Sequence, residues 1–205
     1  MKLKAVLGTV ALVVTATAGT AAWAQNDDAG QFAERVCASC HGRNGDSISP
    51  AFPRLAGQRE EYIEVQLRAF HDKTRADPMA QAYMWGMSAE LSEAMIEKVA
   101  QYYAKQKPVT GKPGDPELMK KGRMIYVVGV PEAKIQPCAT CHGKNAEGVG
   151  AFPRLAGQHA EYIVKQLVLF KSQIRAELPA ITMHGISGPM SFEQMEAVAA
   201  YLSSR

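Results

Sequence analysis

Cys37-Ala38-Ser39-Cys40-His41-Gly42 returns 101 positions later as Cys138-Ala139-Thr140-Cys141-His142-Gly143. Each copy is followed by a second shared stretch, AFPRLAGQREEYIEVQLRAF over residues 51–70 and AFPRLAGQHAEYIVKQLVLF over residues 151–170, identical at 14 of 20 positions at an offset of 100. Two separate motifs recurring at one spacing mean that the chain is an internal duplication. Between the copies lie Pro108, Gly111, Pro113, Gly114 and Pro116, residues that interrupt regular structure and mark a linker. The expected organisation is a domain over 25–107, a linker over 108–116 and a second domain over 117–205.

The repeated Cys-x-x-Cys-His carries the chemistry. Two thiols three positions apart on one helical turn reach both vinyl groups of one haem, and the adjacent histidine then presents its imidazole to the iron. A redox-active Cys-x-x-Cys disulfide would want a βαβ setting, and the pattern here is helical. A zinc site wants four ligands, and each half offers three. Two covalent haem c groups are therefore expected, on Cys37 and Cys40 and on Cys138 and Cys141, with His41 and His142 as iron ligands. A domain of this size has a thin core, so the apolar haem is expected to supply much of what the helices pack around.

The second axial ligand must come from ten methionines. Aligning the start of the last helix in each half, Leu91 with Met190, and stepping back seven residues gives Met84 and Met183, a methionine in both copies. Histidine with methionine saturates the iron and raises its potential, which suits electron transfer. Met79 and Met87 have no methionine counterpart and read as packing or surface residues. His184 is a rival ligand for the second iron, but its counterpart is Trp85. His71 and His159 read as exposed or hydrogen-bonded side chains.

Apolar residues at helical intervals predict helices over 60–72 and 160–171, and C-terminal helices over 92–106 and 191–203. Ser191 with Gln194 forms a capping-box pattern, whereas Ser92 has Met95 in the reciprocal place. Further helices are expected before each Cys-x-x-Cys-His, over 30–37 and 117–126, and nothing alternates like a strand. The fold class is all-α. The segment 127–137 lengthens the second half and has no equivalent in the first.

Residues 1–24 read as a signal peptide: a positive start at Lys2 and Lys4, an apolar run over 5–22, and Ala22-Trp23-Ala24 as the cleavage pattern. Export would place the chain in the periplasm. Residues 25–107 carry 10 basic and 12 acidic side chains and residues 108–205 carry 11 and 8, with no dense basic run, which argues against a nucleic-acid binder.

The paired haem motifs, the FPRLAGQ-xx-EYI-xx-QL segment after each, the methionine seven residues before the last helix and the tyrosines of that helix (Tyr102, Tyr103, Tyr201) together resemble the cytochrome c4 family, over essentially the whole chain after residue 24. The resemblance implies two tandem cytochrome c-like domains related by a pseudo-twofold axis, two histidine–methionine haems, and electron delivery from a quinol-oxidising complex towards a terminal oxidase. It also implies redox proteins as partners, peripheral association with the membrane, and an electron carrier that is a monomer and has no substrate. The alternative is a dihaem enzyme, or the electron-accepting subunit of a dehydrogenase such as a thiosulfate-oxidising system. By the same resemblance the carbonyls of Pro53 and Pro153 accept from the ligand histidines. Arg54, Arg154, Arg75 and Arg175 recur in both halves and are candidates to pair with haem propionates, and Gln58, Gln158, Tyr62 and Tyr162 are candidates for the domain interface.

Overall fold

A computed structural model describes residues 29–205, so the expected signal peptide lies outside the described residues. Among those residues the chain is helical, with two isolated bridges and no strand. In the first half, α1 spans 29–41 as Ala29–Phe32, a wide π-turn over Ala33–Cys37, and Ala38–His41. It is followed by α2 (Glu60–His71), by α3 over 80–88, whose first turn Ala80–Met84 is again π-wide, and by α4 (Glu93–Ala104). The second half has α5 (Pro116–Val128), α6 (Ala139–His142), α7 (Ala160–Lys171), α8 (Thr182–Ser187) and α9 (Phe192–Ser203).

Each half closes on its own core. Ile63 and Leu67 of α2 meet Ile96, Val99 and Tyr103 of α4 in the first. In the second, Ile163 and Leu167 of α7 meet Met195, Val198 and Leu202 of α9, joined by Ile125 and Tyr126 of α5. Helix ends follow the sequence. Ser191 accepts from Gln194 N at 3.2 Å while the Gln194 side chain accepts from Ser191 N at 2.9 Å, and Ser92 caps Met95 N alone at 3.3 Å. Asp115 caps Leu118 N, so α5 begins at Pro116, inside the expected linker.

Gly122 lets α5 cross α9 closely: a Cβ there would stand 1.9 Å from the carbonyl oxygen of Ala197. The segment peculiar to the second half is a closed loop. Val130 and Ile135 exchange backbone hydrogen bonds of 2.9 and 3.0 Å, and Ile135, 3% exposed, adds a residue to the core.

Candidate haem sites and the seam between them

The seven residues FPRLAGQ assemble most of each site. Pro53 O lies 2.9 Å from Nδ1 of His41, and Pro153 O lies 3.0 Å from Nδ1 of His142. Each Nδ1–H therefore donates to a carbonyl, which fixes the ring and leaves Nε2 without a partner among the described residues. Phe52 and Phe152 set a ring edge-on to these imidazoles, at 6.1 and 6.2 Å. Leu55 N and Ala56 N donate to Gly45 O, and Leu155 N and Ala156 N donate to Ala146 O, tying the segment to the turn after each Cys-x-x-Cys-His. Gly57 N and Gly157 N then donate to Tyr103 O and Leu202 O at the ends of α4 and α9. Both glycines have positive φ, and a Cβ on Gly157 would meet Val109 O at 2.1 Å, so no larger residue fits there.

The donor set fits covalent haem. None of the four cysteines is in a disulfide, so all four are available for thioether bonds. Burial pushes the Cys37 thiol up, a hydrogen bond from Tyr103 opposing it in part, and burial pushes Cys138 up to about 11. Burial also lowers His41 and His142 against a smaller opposing effect of the Pro53 and Pro153 carbonyls, which keeps the imidazoles neutral as iron ligation requires. Among the described residues no three His, Cys, Asp or Glu side chains converge on a bare metal ion. Met84 and Met183 are partly buried, each packed against the core of its own half. Ser88 and Ser187 donate back to their carbonyls at 2.7 Å.

Trp85 and His184 turn out to be equivalents. Trp85 Nε1 donates to Arg75 O at 2.9 Å and His184 Nε2 donates to Arg175 O at 2.8 Å. The histidine occupies the place of an indole and uses its ring N–H in the same way. His71 is exposed and its Nδ1 lies 2.9 Å from Asp72 Oδ1, while His159 Nε2 lies 2.9 Å from Ser47 O across the seam.

That seam is built from residues of both repeats. Arg54 N donates to Gln158 Oε1 and Gln158 Nε2 donates to Arg54 O, both at 2.9 Å. Arg154 N and O make the same exchange with Gln58, at 2.6 and 2.9 Å. Four hydrogen bonds related by the pseudo-twofold thus join the two FPRLAGQ segments. Deeper, Arg75 donates to Asp77, Gln66 and Gln166, and Arg175 donates to Glu177, Gln166, Gln66 and the Tyr62 hydroxyl. Each guanidinium lies 4.7 Å over a phenylalanine ring, Phe70 or Phe170. Burial opposes the charge on Arg75, but Tyr162, Tyr62 and Asp77 around it outweigh that and hold it protonated. Any propionate contact of Arg75 and Arg175 is thus additional to a role in joining the domains. Arg54 also crosses, donating to Gly157 O at 2.6 Å. Arg154, half-buried, makes no side-chain hydrogen bond or ion pair among the described residues; burial lowers its pKa, Glu147 nearby opposing.

Sequence reasoning missed Gln66, Gln166, Asp77, Glu177 and the two phenylalanines. All but the Asp/Glu pair recur identically at an offset of 100, which was the available signal.

Two helical units, each with a Cys-x-x-Cys-His turn whose histidine is buried and held by a proline carbonyl, define a two-domain cytochrome of the c type. The family model described as Cytochrome c matches residues 28–107 and 133–205. A cytochrome c4 from Thiocapsa roseopersicina is 39% identical over 174 residues, covering 83% of this chain and 87% of that one. The solved cytochrome c4 of Acidithiobacillus ferrooxidans superposes with a TM-score of 0.76 at 41% identity, covering 82% of this chain and 98% of that one. A "Thiosulfate dehydrogenase electron acceptor" of Thiomonas intermedia is 38% identical over 174 residues, covering 82% of this chain and 78% of that one. The chain belongs to the cytochrome c4 family. It carries two covalently bound haem c groups, one per domain, and it is a dihaem electron-transfer protein whose partners are redox proteins.

Proposed function

We propose that this protein is a periplasmic carrier that passes single electrons from a quinol-oxidising complex to a terminal oxidase, with Met84 and Met183 completing the coordination begun by His41 and His142. The haems supply one-electron chemistry between the ferric and ferrous states; the chain's own residues set how it is used. His41 and His142, held by Pro53 and Pro153, keep fixed ring orientations, so little rearrangement accompanies a change of charge. The methionines leave no position for a substrate, which makes the protein a carrier and not an enzyme. Arg54 and Arg154 are proposed propionate partners, as are Arg75 and Arg175. The signal peptide over 1–24 and the limits 25–107, 108–116 and 117–205 belong to the same reading, as do a monomeric state and peripheral membrane association. No helix among the described residues is long and apolar enough to cross a membrane.

The observation that supports this reading is a carbonyl-oriented histidine in each domain, together with a methionine packed against the core at the equivalent place of both repeats. A second reading, the acceptor of a thiosulfate-oxidising dehydrogenase, is favoured by the Thiomonas relative. Stopped-flow mixing separates the two. The oxidised protein should be reduced rapidly by a quinol-oxidising complex with quinol and reoxidised by a terminal oxidase. Rapid reduction only by a thiosulfate dehydrogenase with thiosulfate would assign it to the second reading.

A further inference from the structure

Lys171, the last residue of α7, spans the segment that follows Met183. Its Nζ donates to Gly188 O at 2.6 Å and to Met190 O at 2.7 Å, the carbonyls just past α8. Its equivalent in the first half is His71, which turns to Asp72 and reaches neither Ala89 nor Leu91, the counterparts of those two residues. The first half is tied differently: Lys73 Nζ lies 5.8 Å over the ring of Trp85 and Tyr83 packs edge-on to Phe52 at 5.5 Å, on either side of Met84. Arg68 of α2 bonds Glu93 at 2.8 Å and Glu64 at 3.0 Å, fastening α2 to the start of α4, beyond the methionine segment. Val168 and Phe192 replace Arg68 and Glu93 in the second half, so that tie has no equivalent there. A charged amine shared by two carbonyls is a strong hydrogen-bonding arrangement. It also places a cation where α8 ends its chain of carbonyl dipoles.

We propose that Lys171 is a positioning residue that straps the Met183 segment, making the second haem's methionine harder to displace than the first haem's. The proposal rests on Met84 and Met183 being iron ligands. A methionine leaves iron only if its segment swings outward. In the second domain that swing breaks two charged hydrogen bonds to main-chain carbonyls, and in the first domain it disturbs the ring contacts of Tyr83 and Trp85 but breaks no such charged bond. The strap acts on the main chain, so the electronic character of the second haem stays as the methionine sets it.

The test is displacement of methionine by imidazole in the oxidised holoprotein, followed for each haem by the long-wavelength charge-transfer absorption of methionine-ligated ferric haem and by the haem methionine methyl resonances. Met84→Ala and Met183→Ala assign the signals. In the wild type the second haem should need about tenfold more imidazole than the first, a difference of ~1.4 kcal/mol. Lys171→Met, which keeps the aliphatic stem and removes the donors, should bring the second haem to the level of the first and leave the first unchanged; Lys171→Arg should restore most of the gap. An unaltered second haem in Lys171→Met, or an equal shift at both haems, would overturn the strap. Survival of the full methionine signal in Met183→Ala would instead overturn the ligand assignment on which the proposal rests.

Discussion

Trp85 and His184 follow the two ligand candidates, and each donates a ring N–H to the carbonyl of an interface arginine. His184→Ala should therefore cost about 1 kcal/mol, the net worth of one hydrogen bond, while the absorption of the second haem stays methionine-like; loss of that absorption would make His184 a ligand. Asp77, 1% exposed, has both oxygens engaged, by Arg75 Nε at 2.9 Å and by Ala80 N at 3.3 Å. Glu177 in the equivalent place accepts from Arg175 through Oε1, and its Oε2 is buried without a partner among the described residues. Burial opposes the charge of Asp77, but Arg75 beside it prevails and holds the carboxyl below the usual carboxylate range. The stability this contributes is complete above the unfolded pKa of about 3.9 and is lost as pH falls through the lower folded value. Asp77→Asn should cost about 3 kcal/mol at neutral pH, because it leaves Arg75 buried and uncompensated. It should also flatten the acid limb below about pH 4; urea midpoints at pH 7 and pH 3 measure both.

The periodic segments that became α2, α4, α7 and α9 were legible because each buries one face at helical spacing, and their ends were legible wherever a cap residue was present. The wide turns over Ala33–Cys37 and Ala80–Met84 were not, since nothing in the local sequence separates them from an ordinary helical turn. The second domain reaches Cys138 and Met183 without such turns, so the two repeats arrive at the same donor set by different backbone routes. Ile135 was equally hidden: a segment present in only one half reads as a loop until its return places that side chain in the core. Gly122 is the element-scale test. Gly122→Ala would push a methyl into Ala197 O where α5 crosses α9 and should cost 1–3 kcal/mol or more by overpacking. The single thermal transition should move to lower temperature, and amide hydrogen exchange should quicken in the second domain more than in the first.

The duplication is the largest feature of the molecule and the easiest to read, and it carried the two haem motifs and the choice of methionines with it. What joins the halves was less visible, because a residue that recurs in both repeats can serve its own haem or meet its own copy across a pseudo-twofold axis. Arg75 and Arg175 illustrate the ambiguity: recurrence marked them, and only the fold brings their guanidinium groups onto the shared acceptors Gln66 and Gln166. The double variant Gln58→Ala/Gln158→Ala removes all four bonds of the outer exchange and leaves the backbone groups of Arg54 and Arg154 without those partners. It should split a single unfolding transition into two and enlarge the radius of gyration measured by X-ray scattering. Unchanged cooperativity would show that the deeper guanidinium–glutamine network, with the Arg54–Gly157 and His159–Ser47 bonds, holds the seam without the outer exchange.

Both irons being closed by protein side chains is the claim on which the carrier reading turns. The most direct measurement is carbon monoxide binding to the reduced purified protein, followed by absorbance together with a haem count. The account predicts two haems per chain and no carbon monoxide complex, with Met84→Ala opening the first haem alone. A complex on either haem of the unaltered protein would contradict it, removing one methionine assignment and giving that iron an open position for a substrate.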